Sequence, residues 1–252
     1  EGSNMLYIGN YMTGYVSAYD LTTGKMTKYD SYSDQVPQIF WYEGKCYATG
    51  YGAASLCEVG INQEVKMLFE LNKGNNKEYF HQERLHNVTT GDDKLFVTTA
   101  PCKGYLGGYL SWYDLETKTA YVAVEKDKVL YQKESDRATG TWYDEKTNAP
   151  YVLSDADDTT KEFAGLIADQ IPKSIVYQDG YVYGGTGISG GSGSTPAEGA
   201  SAVLFAYDVA NRKLVTLDLR TVLEGFTGDI HNVRSVAADP DVPGKFWAQV
   251  AG

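Results

Sequence analysis

Two short stretches of the chain carry the same chemistry. His86-Asn87-Val88 and His231-Asn232-Val233 repeat one triplet, and Arg84, Arg137 and Arg234 stand close to them in sequence. A neutral imidazole offers a lone pair to a transition metal, and a guanidinium fork pairs with a carboxylate or sulfate. The triplets therefore nominate His86 and His231 as ligands of a divalent metal. With Asn87, Asn232, Arg137 and Arg234 they nominate an anion site. The plainer account is that a residue repeated in a repeat protein ties one unit to the next by hydrogen bonds.

Other residue types suggest other chemistry. Tyr105, Tyr109, Trp112 and Trp41 offer aromatic faces on which sugar rings stack, with core packing as the competing explanation. His81 precedes His86 by five residues, a spacing that fits no metal motif and reads as a solvated loop position. The stretch from Gly184 to Ser194 matches both a dinucleotide loop and a serine nucleophile elbow in form, yet each motif needs a strand, a turn and a helix, and a strand from Ala202 to Tyr207 follows instead. A mobile Gly/Ser loop is the better reading. Asp155, Asp157, Asp158 and Glu162 supply hard oxygens for calcium but lack the glycine and spacing of an EF-hand, so a solvated acidic turn is favoured.

The elements that would position these groups follow from repeats. Tyr19-Asp20-Leu21-Thr22-Thr23-Gly24-Lys25, Tyr113-Asp114-Leu115-Glu116-Thr117-Lys118 and Tyr207-Asp208-Val209-Ala210-Asn211-Arg212-Lys213 stand 94 residues apart, twice the length of a four-stranded propeller blade. In each, alternating apolar residues bury one face and the Asp starts a turn. Aromatic hairpins recur around Phe40–Ala48, Asn87–Val97, Trp142–Val152, Ile175–Tyr183 and Val233–Trp247. Each unit reads as an inner hairpin, the Tyr-Asp strand and an outer strand.

The run Leu6-Tyr7-Ile8-Gly9-Asn10-Tyr11, then Val16 to Lys25, resembles a blade of the bacterial YVTN and lactonase-like propellers. That superfamily holds lyases, lactonases and binding scaffolds, so the resemblance implies a fold and transfers no catalytic residue. The expected fold is all-β: a single repeat domain over residues 1–252, a β-propeller of about five four-stranded blades, alone or as part of a larger ring of about six to eight. Two irregularities stand out. The aromatic strands at Tyr151 and Tyr183 are too close for a full blade between them, and the first and last strands are both of the second type. The connections Asn72–His86, Pro101–Tyr109, Val129–Arg137, Gly187–Ser201 and Leu223–His231 are expected around a channel mouth, with each His-Asn-Val triplet opening an inner strand.

A net charge of −11 argues against nucleic acid or an anionic membrane as the main partner, and no long apolar run predicts membrane insertion. The first four residues lack signal-peptide character, which leaves a signal already removed open. Three cysteines make no disulfide framework. Cys46 and Cys57 either face each other across a hairpin or are small buried apolar residues. Asn87-Val88-Thr89 matches a glycosylation acceptor, a triplet common by chance. The function expected is a non-catalytic binding or scaffold propeller, secreted or on a cell surface, that presents a carbohydrate or protein site on its channel face. The alternative is a polysaccharide lyase, hydrolase or lactonase with a metal or His-based site at the channel mouth.

Overall fold

The computed structural model describes residues 4–72, 80–151, 163–223, 225 and 228–252. These residues form four antiparallel sheets. The first holds β1 (Met5–Gly9), β2 (Val16–Asp20) and β3 (Met26–Lys28), and the second β4 (Ile39–Tyr42), β5 (Lys45–Gly50), β6 (Ser55–Val59) and β7 (Val65–Glu70). The third runs in order from β8 (Gln82–Gly91) through β9 (Lys94–Pro101), β10 (Leu110–Asp114), β11 (Thr119–Glu125) and β12 (Lys128–Lys133) to β13 (Tyr143–Asp144). The fourth joins β14 (Ile171–Gln178), β15 (Tyr181–Gly187), β16 (Val203–Asp208) and β17 (Lys213–Asp218) to the hairpin of β18 (Asn232–Ala238) and β19 (Phe246–Ala251), which reaches β15 through Gly187 and Asn232.

The Tyr-Asp repeat is a turn device, as its composition implies. Asp20 Oδ1 accepts from the amides of Thr22 and Thr23, Asp114 Oδ1 from Thr117 and Asp208 Oδ1 from Asn211. A left-handed residue then reverses the chain: Gly24, Lys118 or Arg212. Tyr143-Asp144 is a fourth copy, with Asp144 Oδ1 accepting from Lys146 and Thr147 and Asn148 at φ 56°.

The sheets pack face to face in chain order. Val16 and Ala18 of the first sheet meet Cys46, Ala48 and Cys57 of the second. Tyr47, Leu56 and Phe69 of the second meet Leu85, Leu95 and Val97 of the third. Phe96, Trp112 and Ala123 of the third meet Val182, Phe205 and Tyr207 of the fourth. Cys46 and Cys57 are both buried free thiols, the second of the two readings above, with Cys46 opposite Val59 and Cys57 opposite Ala48.

The crowding between Tyr151 and Tyr183 has a structural cause. The stretch Val129–Arg137, expected as a connection, begins with strand β12, whose Val129 and Leu130 are buried on opposite sides in two different cores. β12 and β13 extend the third sheet outward to six strands, so β8 and β14 lie side by side. Asn87 Oδ1 accepts from the Ile175 amide at 3.1 Å and Thr89 Oγ1 from the Tyr177 amide at 2.9 Å. Ser174 Oγ accepts from the Val236 amide of β18 at 2.9 Å, and Gln38, just before β4, donates to the His86 carbonyl at 3.2 Å. Gln38 before β4, β8 and β14 are thus stitched from sheet to sheet by side chain to backbone bonds, and β14 is tied to β18 within the fourth sheet, so that β8, β14 and β18 lie side by side.

The segment read as a mobile glycine loop is packed. Gly185 lies in β15, where a Cβ would stand 2.2 Å from Val233 Cγ1, and a Cβ on Gly191 would stand 1.9 Å from the Cys102 carbonyl oxygen. The Gly191 amide donates to the Tyr105 carbonyl at 2.8 Å, which anchors the loop. Gly185→Ala is expected to cost about 1–3 kcal/mol in denaturant unfolding by overpacking. A loss below about 0.5 kcal/mol would show that β18 does not seat on β15 this way.

Candidate functional site

The strands β8, β14 and β18 share a recurring irregularity. The register of β8 against β9 shifts between Leu85 and Asn87, that of β14 against β15 between Pro172 and Ser174, and that of β18 against β19 between Val233 and Ser235. These shifts leave His86, Lys173 and Arg234 out of the ladders, and a second shift in β8, between Gln82 and Arg84, leaves out Glu83. A bulge turns a side chain out of the alternation and is common beside functional sites. Here it turns a polar or basic residue out of each of β8, β14 and β18.

Two of the bulges meet. The His86 imidazole lies against the Lys173 backbone, with the charges of Lys173 and Arg84 close by. Burial first, and then those two cations, push His86 down to about 4, so it is neutral at pH 7. Burial and the Arg84 charge also lower Lys173. The Arg84 guanidinium lies over the Tyr51 ring at 4.7 Å. His86 Nδ1 and Arg84 Nε are buried without a hydrogen-bond partner. Among the described residues no carboxylate pairs with Arg84 or Lys173. In a chain of net charge −11 this is a local concentration of positive charge, with Glu83 the nearby carboxylate, bonded to the Tyr51 hydroxyl.

Gly187 extends the cluster to β18. A Cβ there would stand 2.9 Å from Lys173 Cε and 3.2 Å from Asn232 Oδ1, so the glycine leaves room for the lysine stem beside the asparagine. Asn232 Oδ1 is itself buried without a partner. Beyond it, exposed His231 and Arg234 line a cavity of about 360 Å³ with Ile188, Ser189 and Pro196.

The structure sorts the residues nominated from sequence. His231-Asn232-Val233 stands at the start of strand β18, whereas His86-Asn87-Val88 lies inside β8, which starts at Gln82. Asn87 serves as stitching between β8 and β14. The metal expectation for His86 and His231 finds no supporting cluster: no group of three or more His, Cys, Asp or Glu able to hold an ion occurs among the described residues. His86 keeps company with cations, which oppose a metal ion.

Arg137 belongs elsewhere. Its guanidinium pairs with Glu134 at 2.9 Å, and Glu134 also holds Lys66 of the outer strand β7 at 2.8 Å. Tyr109 is fully buried and donates to the Phe80 carbonyl at 3.1 Å, packed on Phe80 and Phe163, so it is core and no sugar platform. Trp112 is buried as well. Trp41 stays half exposed against Tyr7. Tyr105 stacks on His81 with ring centroids 4.1 Å apart, which makes His81 a packed residue instead of a solvated one. The acidic run at 155–162 lies outside the described residues. Lys173 was missed because a lysine in Ile171-Pro172-Lys173-Ser174-Ile175 reads as the solvent side of an alternating strand. The proline beside it, which removes a ladder donor, is the one available signal of a bulge.

The neutral state of His86 gives stability a direction with pH. Its folded pKa is depressed from 6.5 to about 4, so between those values the unfolded chain binds the proton more readily, and stability falls as pH drops through that window. His86→Gln is expected to flatten the dependence in that range, read as urea midpoints at pH 7 and pH 4.5. An unchanged slope would place His86 in open solvent.

No protein family and no curated protein matches the chain by sequence. Solved structures do match in shape. A quinohemoprotein alcohol dehydrogenase from Pseudomonas putida HK5 aligns with 99% of this chain and 37% of its own at 13% identity and a TM-score of 0.51. A europium-containing methanol dehydrogenase aligns with 86% of this chain and 50% of its own, at 14% identity and 0.44, and the computationally designed Ika8 protein with 95% and 64%, at 11% and 0.38. The chain spans between about a third and two thirds of these proteins' lengths. At such identity the likeness concerns fold alone, and the narrower YVTN and lactonase-like resemblance rests on the blade sequence by itself. Among the described residues, no helix is long and apolar enough to cross a membrane. The chain has an all-β, propeller-like fold.

Proposed function

We propose that this chain is the bladed part of a secreted or cell-surface binding propeller, with its ligand, a carbohydrate segment, taken at the inner strands. The observation that carries the reading is the trio of bulges, which turn His86, Lys173 and Arg234 out of their ladders. Bulges disrupt the ladder and re-aim a side chain, and three on the neighbouring strands β8, β14 and β18 suit a shared ligand face. The test is calorimetric titration of the intact chain with oligogalacturonate and with cello-oligosaccharide. Binding of either, weakened at least tenfold in Arg234→Ala, supports the reading, and binding of neither overturns it.

One observation favours a second reading, a lyase acting on uronates. A neutral His86 beside two cations is the arrangement that removes a proton next to a carboxylate while the cations hold that carboxylate. Ultraviolet absorbance of an unsaturated uronate, appearing with oligogalacturonate and absent with His86→Gln, would favour it over binding alone.

A further inference from the structure

Arg84, His86 and Lys173 form a half-buried basic cluster without an acidic partner, which is an expensive arrangement to keep. Desolvated charge is ordinarily paired, and a buried polar atom without a partner forfeits a hydrogen bond. Both liabilities meet at one place. Arg84 Nε and His86 Nδ1 are buried without partners, and the Lys173 stem, which lies against the space that Gly187 leaves, brings its charge to the same imidazole. A bound oxyanion removes the liabilities of the two nitrogens and of the unpaired cations together. It accepts from the guanidinium, whose plane is fixed on Tyr51, from the Lys173 ammonium and from a ring N–H of His86.

We propose that this cluster is an oxyanion site that holds the carboxylate or sulfate group of the ligand. The inference rests on the binding reading above and names the chemical class of what binds. A planar carboxylate suits the guanidinium fork, and an acidic sugar and a free oxyanion offer the same chemistry, so the experiment separates them.

The intact chain is titrated with glucuronate, sulfate and glucose at constant ionic strength, alongside Lys173→Met and, as a control, Lys45→Met, whose ammonium pairs with Glu58 at the surface. Glucuronate is expected to bind at least tenfold more tightly than glucose, and Lys173→Met to weaken it at least tenfold while Lys45→Met leaves it unchanged. The melting temperature of Lys173→Met is expected to hold or rise, because an unpaired charge leaves a desolvated place, and this separates lost binding from lost folding. Sulfate binding as tightly as glucuronate would support the site and assign it to a free oxyanion. Glucuronate and glucose binding alike, or glucuronate binding that survives Lys173→Met, would overturn it. Cello-oligosaccharide binding without any preference for anions leaves the binding module standing and removes only the oxyanion site, whereas binding of no ligand removes both.

Discussion

Trp112→Ala is expected to lower stability by about 3–5 kcal/mol, enough to unfold much of the chain. Trp112 lies in β10 between the third and fourth sheets, stacked on Tyr121 with centroids 5.1 Å apart and tilted against Phe96 and Tyr207. The Arg212 guanidinium covers it at 4.9 Å while pairing with Glu145 at 2.7 Å. Truncation would open a cavity that rigid strands on both sides cannot collapse, and would leave Arg212 with the Tyr121 face alone. Chemical denaturation with a single transition and an unchanged slope is the measurement. A loss under about 1 kcal/mol would mean that the two sheets do not face each other at this tryptophan.

Leu130→Ala is the second large effect, about 2–5 kcal/mol. Leu130 is fully buried in β12, in the core shared with Tyr47, Leu85 and Trp142. The comparison that isolates its strand is Val215→Ala on the exposed face of β17, where about 0.5 kcal/mol or less is expected. Near-equal losses at the two positions would return residues 128–133 to the status of a surface connection.

These two residues mark the boundary of what the sequence discloses. Trp112 stands directly before a Tyr-Asp turn, and such turns are legible because they need a carboxylate that accepts backbone amides and a residue that tolerates positive φ. The aromatic hairpins are legible for a similar reason, since alternation and turn chemistry are local. β12 is hidden because Glu125-Lys126-Asp127-Lys128 presents charge on both sides of its turn, and the apolar alternation after it is short. Its place on the third sheet is set by its pairing with β11, and the two-residue β13 then attaches to its outer side.

The candidate site was half visible. The repeated His-Asn-Val triplet pointed to the inner strands, yet Asn87 and Asn232 do different things: one ties β8 to β14 and the other stands beside Lys173 with an unpartnered oxygen. A bulge is an event of backbone register and has no residue signature of its own, so the gathering of His86 and Lys173, 87 residues apart in the chain, could not be foreseen. Tyr109 misled for the opposite reason. Its neighbours in sequence are glycines and turn residues, but its neighbours in space are Phe80 and Phe163.

The cluster of Arg84, His86 and Lys173 also sets a proton requirement. The charged groups that face His86 are Arg84 on its own strand and Lys173 on β14, while Gln38, next to β4, meets its carbonyl as a neutral partner. An oxyanion placed among them offsets the cations and raises the imidazole from about 4 toward its ordinary range. Binding therefore takes up a proton, and affinity is expected to strengthen as pH falls from 7 toward 5.

With three histidines in the chain, the imidazole signals can be assigned by single substitutions, and a nuclear magnetic resonance titration of His86 with and without glucuronate reads the cluster directly. The expected result is a midpoint near 4 in the free chain that moves upward by at least one pH unit when glucuronate is present. A midpoint near 6.5 that ignores glucuronate would contradict the account, because it would place His86 in water, away from Arg84 and Lys173.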